Sequence, residues 1–167
     1  MPERGTERTI PIAGSVLAFD FGEKRIGVAI GTVLEEGRPG TARALTTISS
    51  EANDARFATI AGIIGEWQPV RLLVGRPLND DGSSHEMTAR CERFANQLRG
   101  RYRLPVEYVD ERFSSTEADA NLRGQGLSWQ KRKQQLDAEA ASIILHSWFE
   151  LLAIRHTTSH ANAHIPA

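Results

Sequence analysis

The chain has 167 residues, 40% of them hydrophobic and 25% charged, with a formal net charge of −1. That is the length of about one domain with an ordinary globular composition, and it excludes a uniformly basic nucleic-acid coat, though not a local basic rim around an acidic centre. A single cysteine, Cys91, excludes an internal disulfide and fits a reducing compartment.

No apolar run reaches the roughly 18 residues of a membrane-spanning helix, and the opening MPERGTERTIPIAGS lacks the apolar centre of a secretory signal. The expectation is a cytoplasmic protein without a membrane partner. Residues 1–14 read as a flexible N-terminus, 15–154 as one domain and 155–167 as a disordered tail. His156, His160 and His164 fall in that tail, whose sequence has no core-forming pattern, so disorder is favoured there over a metal site.

Residues 16–21 (VLAFDF) read as a first strand and 25–31 (RIGVAIG) as a second. Gly22-Glu23-Lys24 joins them as a hairpin, with the glycine expected to adopt unusual backbone angles. Residues 42–48 are a third strand, reached through the turn-rich EEGRPG. Phe57, Ile60, Ala61, Ile64 and Trp67 then recur at helical spacing, which predicts an amphipathic helix over 53–67 followed by Pro69.

Residues 70–75 (VRLLVG) form the short continuous apolar run of a buried parallel strand. After the loop RPLNDDG, Ser83 and Glu86 have the spacing of a capping box that opens a helix. Its inward stripe is Met87, Cys91, Phe94 and Leu98, which makes Cys91 a core residue rather than a nucleophile. Residues 105–109 are the next strand, running into Asp110-Glu111-Arg112. Ser114 with Glu117 opens another helix that stops near Gly124, and a final helix covers about 134–152. This order predicts an α/β fold, a mixed sheet with helices on its faces and ligands beyond the carboxyl ends of its parallel strands.

One feature of the first strand asks for a reason: Asp20 interrupts an apolar run, where an unpaired carboxylate costs several kcal/mol. Asp110 and Glu111 end the last strand. Asp137, in the first turn of the predicted final helix, lies in a row with Ala141, Ile144 and Trp148 that borders the apolar face. Carboxylates gathered from these three places would repel one another unless a cation neutralised them. Mg²⁺ with oxygen ligands suits that need, and two such ions about 4 Å apart activate water and stabilise the leaving oxygen in phosphodiester cleavage. Simpler roles compete. Asp20 can pair with Lys24 or Arg25, Asp137 can complement the positive end of its helix, and Asp110 or Glu111 can pair with Arg112 or cap a helix.

Four motifs in order carry a family resemblance: DFGEKRIGVA (20–29), VGRPLNDDGS (74–83), VDERFSSTEA (109–118) and KQQLDAEAASIIL (133–145). With them the chain resembles the YqgF (RuvX) family, Holliday-junction-resolvase-like proteins also described as pre-16S rRNA nucleases. The resemblance runs over about 16–152. It implies an RNase H-like mixed five-stranded sheet flanked by helices, with Asp20, Glu111 and Asp137 as the catalytic, metal-holding carboxylates and one or two Mg²⁺ or Mn²⁺ ions. The resemblance favours Glu111 over Asp110; strand alternation puts the two on opposite faces, and the sequence alone does not say which face meets Asp20. The family pattern usually has an apolar residue where this chain has Arg76, so the loop that follows is a departure.

On this reading the partner is structured nucleic acid, with pre-rRNA favoured and branched DNA the alternative, and the protein is a monomer or homodimer. Lys24, Arg25, Arg112, Lys131 and Lys133 are the expected contacts to flanking phosphates, which position a strand without reading its sequence. Asn79, Gly82 and Ser83 offer donors at a helix start, opposed by Asp80 and Asp81. Two rival classes stand beside the nuclease. One is a module that binds nucleic acid without cutting it. The other is an actin-like ATPase or sugar kinase, whose phosphate loop is similar to the Asp-x-Gly hairpin but which needs two such domains.

Overall fold

The computed structural model describes residues 13–77, 86–110 and 129–163, the side chains of 129–136 and 155–163 apart. Strand β1 (Gly14–Phe21) and strand β2 (Ile26–Val33) form an antiparallel hairpin, and β3 (Pro39–Ile48) pairs antiparallel with β2. Helix α1 (Asn53–Trp67) crosses to β4 (Arg71–Arg76), which lies parallel to β1. Helix α2 (Glu86–Tyr102) then crosses to β5 (Val106–Asp110), parallel to β4. Helix α3 (Trp129–Ala163) closes the described chain. The sheet order β3-β2-β1-β4-β5 is the mixed five-stranded arrangement that the RNase H-like resemblance implies.

Alternation along the central strands divides the core into two layers. Leu17 and Phe19 of β1, with Leu72 and Val74 of β4, pack against Phe57 and Ile60 of α1 and Cys91, Phe94 and Leu98 of α2. Cys91 is buried there, the core position expected of it. Val16 and Ala18 of β1, with Ala29, Leu73 and Val109, face Ala141, Ile144, Leu145 and Trp148 of α3. The central strands are therefore apolar on both faces, as parallel strands between helices must be.

Helix α3 differs from its expected bounds at both ends. It begins at Trp129 because WQKRK, although polar and without a visible apolar period, contains no glycine or proline to stop a helix. The expected tail from 155 instead continues the helix to Ala163, again with no breaker before Pro166. Asp137 consequently lies more than two turns inside the helix rather than in its first turn. The pull of the helix dipole, confined to the terminal turn, does not account for it. Among the described residues no helix is long and apolar enough to cross a membrane.

Candidate active site

Asp20 projects from the α3 face of β1, two residues beyond Ala18 and four beyond Val16. Its antiparallel partner is Gly27 of β2, and opposed residues share a face with Cα atoms roughly 5 Å apart. At Gly27 the helix comes down onto the strand: a Cβ there would stand 1.8 Å from the backbone carbonyl oxygen of Asp137. Only glycine permits that approach, a role that glycine often has inside strands. Gly27 is thus the shared neighbour of Asp20, by strand register, and of the Asp137 backbone, by contact, near the carboxyl end of β1.

Asp137 is held in turn by the hairpin. The Arg25 Nε–H donates to Asp137 Oδ2 at 2.5 Å, with the two side chains only 24% and 22% exposed. Arg25 is thus engaged with Asp137 rather than turned outward to solvent. Asp20 is itself half-buried and has an interaction of its own.

The hairpin 22–25 is fixed from the other face as well. Arg56, on α1 and 4% exposed, donates from Nε to the Ser50 carbonyl at 2.7 Å and from Nη2 to the Gly22 carbonyl at 2.9 Å and the Glu23 carbonyl. Arg90 of α2 donates to the Glu23 carboxylate and, at 3.0 Å, to Glu86. Burial pushes the Arg56 pKa below its usual value, opposed by the nearby charge of Glu51. A guanidinium nonetheless stays protonated in proteins. Gly22 does not take the unusual backbone angles expected of it. Glycine is needed because a Cβ would stand 2.6 Å from the Arg25 carbonyl oxygen.

Lys24, at the tip, is exposed and among the described residues makes no ion pair. Asp110 pairs in register with Arg76 and follows Val109, which packs under α3, so Asp110 belongs to the α2 face and not to that of Asp20. Glu111 and Arg112 lie outside the described residues, as do Asn79, Gly82 and Ser83 and the side chains of Lys131 and Lys133. Arg76, the departure noted above, is absorbed by the fold: its guanidinium lies 4.6 Å from the Tyr108 ring centroid and 3.3 Å from Glu92.

Among the described residues no group of three or more His, Cys, Asp or Glu forms a metal-binding cluster. Asp20 of β1 and Asp137 of α3, both half-buried, carry oxygen donors of the kind that suit a hard cation. One of them already draws a guanidinium, so positive charge is favoured at that spot. Sequence patterning had not singled out Gly27 or Arg56. A glycine inside a buried strand was a visible cue for the first, and the placement of Arg56 one turn before the inward Ile60 was a cue for the second.

Comparison with known proteins extends these observations. A protein of Methylobacillus flagellatus named "Putative pre-16S rRNA nuclease" is 54% identical over 140 residues, 84% of this chain and 93% of its own length. One from Dechloromonas aromatica with the same name is 50% identical over 138 residues, 82% and 91% of the two chains. The structure of Thermus thermophilus RuvC in complex with a Holliday junction substrate is 16% identical, with a TM-score of 0.49 over 82% of this chain and 96% of that one. The RuvX family model, described as Holliday junction resolvase, matches residues 14–151, and the chain belongs to that family.

Proposed function

We propose that the protein is a metal-dependent endonuclease that hydrolyses phosphodiester bonds in maturing the 5′ end of pre-16S rRNA, in the cytoplasm. The observation that supports this reading is that Asp20, by strand register, and the Asp137 backbone, by contact, both approach Gly27 near the carboxyl end of a central strand. The names of the relatives support RNA as the substrate.

Asp20, Asp137 and Glu111 would hold one or two Mg²⁺ or Mn²⁺ ions. Glu111 is proposed as the third carboxylate because its neighbour Asp110 belongs to the opposite face. When bound, such ions supply the positive charge that activates water and stabilises the leaving 3′ oxygen. The chain's own part is positional. The Gly27 contact sets the depth of Asp137, Arg56 and Arg90 fix the hairpin, and Arg25 orients the Asp137 carboxylate. Lys24 at the exposed tip, with Arg112, Lys131 and Lys133, would contact flanking phosphates.

Arg25 and a divalent cation seek the same Asp137 oxygen. Arg25→Gln is therefore expected to tighten Mn²⁺ binding by up to about tenfold, near 1.4 kcal/mol, as read by calorimetry. Weaker binding in that variant would mean that Arg25 prepares Asp137 for the ion rather than competing with it.

The family's description favours a second reading, cleavage of four-way DNA junctions. A cleavage assay on a pre-16S rRNA 5′ fragment and a DNA four-way junction, with Mg²⁺ or Mn²⁺ and with EDTA, separates the two. Metal-dependent cutting of the RNA is expected. Preferential cutting of the junction would make the protein a resolvase, and binding of either without cutting would make it a recognition module.

A further inference from the structure

On the sheet face away from Asp20 and Asp137, a cleft opens between α1 and α2. Arg56, Arg90 and Arg93 line it, and no carboxylate does. Arg90 is matched by Glu23 and Glu86. Arg56, almost wholly buried, gives its hydrogen bonds only to neutral carbonyls and makes no ion pair among the described residues, the charge of Glu51 lying nearby. Buried charges in proteins are ordinarily paired. Arg93, three residues along α2 from Arg90 and so on the same side of the helix, is exposed and likewise has no ion pair there. The floor is aromatic, with Phe21 stacked on Phe94 at 4.8 Å and the Arg56 guanidinium 5.4 Å from the Phe21 ring centroid. A floor of this kind keeps water from beneath the guanidinium groups and strengthens their field. Asn53 and Gln97 add neutral hydrogen-bonding groups at the rim.

The free space is about 120 Å³, room enough for a tetrahedral oxyanion. Phosphate is an oxyanion for which arginine is suited, through charge-assisted N–H donors. The position narrows the source. Phe21, in the floor, directly follows Asp20 in β1, so the cleft and the carboxylates lie on opposite faces of one strand end, with Lys24 exposed on the hairpin between them.

We propose that the α1–α2 cleft is a phosphate site that takes a backbone phosphate of the nucleic-acid strand, flanking the phosphate at the carboxylates. The choice of a strand as the source rests on the nuclease reading above. The test is binding, not cleavage: a labelled single-stranded pre-16S rRNA 5′ fragment is titrated in EDTA across a range of salt. Wild type is compared with Arg93→Ala and with Arg38→Ala, an exposed arginine beyond the opposite end of β2. Arg93→Ala is expected to lower the magnitude of the salt slope of log K by about 0.7, one single-strand phosphate, and to weaken binding about fivefold at 0.1 M salt. Arg38→Ala should change neither.

An unchanged slope and affinity in Arg93→Ala, or no RNA binding by wild type, overturns the proposal. Inorganic phosphate is titrated in parallel. Arg93-dependent binding of inorganic phosphate with an unaltered RNA slope would assign the cleft to a free anion and overturn the strand assignment. An Arg93-dependent slope in a wild-type protein that cuts nothing would leave this site standing and remove only the nuclease reading.

Discussion

Asp20→Asn is expected to lower metal-dependent cleavage by at least about 10³-fold, corresponding to the several kcal/mol that a bound ion's charge contributes to the transition state. Asparagine keeps the size and planar shape of aspartate, so β1 and its pairing with β2 are preserved and the melting temperature should move by only a few degrees. What is lost is one negative oxygen donor of the proposed metal-holding set. Mn²⁺ affinity should fall while thermal stability changes little. That combination separates a ligand from a structural aspartate, whose loss would lower stability and leave ion binding alone. Cleavage at the wild-type rate by Asp20→Asn would sink the assignment of the site.

Much of this architecture was legible in the sequence because it depends on local pattern. The apolar runs of β1 and β4 and the 3.6-residue period of α1 follow from burial on one or both faces. Asp20 was conspicuous for the same reason, as a charge where the pattern demands an apolar side chain. What remained hidden depends on contacts between distant segments. The bond from Arg25 to Asp137 spans 112 residues, and nothing in either motif states that they meet. Periodicity could not reveal the start of α3, since its first turns carry WQKRK and present no apolar stripe. Alternation put Asp110 and Glu111 on opposite faces without saying which face belongs to Asp20. The packing of Val109 against the α3 side assigns Asp110 to the other one.

The hairpin was read for its turn and not for its supports. Arg56, which the helical period of α1 does not single out, is a buried clamp on the Gly22 and Glu23 carbonyls. Because the same guanidinium lines the α1–α2 cleft, α1 couples the two faces of the strand end: it fixes the loop that carries Arg25 while charging the opposite face.

Gly27→Ala isolates the contact on which the proposed site depends. The added methyl would fall 1.8 Å from the Asp137 carbonyl oxygen, whereas real Cβ contacts essentially never come below 3.0 Å. The obstacle is helix backbone and not the end of a flexible side chain, so α3 has to withdraw by more than an ångström or β2 has to bend. Overpacking of this kind costs about 1–3 kcal/mol of stability. Displacing a catalytic group by about 1 Å costs on the order of 10²-fold in rate. The variant is therefore expected to fold with a lower denaturation midpoint and to cleave about a hundredfold more slowly, although it alters no charged group. Gly62→Ala on α1 is the matched control. A Cβ there meets nothing within 4 Å, and alanine in a helix interior should add roughly 0.5–1 kcal/mol of stability with cleavage unchanged. Urea denaturation and the cleavage assay on both variants give the comparison. A Gly27→Ala protein that cleaves normally would show that the seating of α3 against β2 does not set the position of Asp137 for catalysis, and the role given to Asp137 would fall with it.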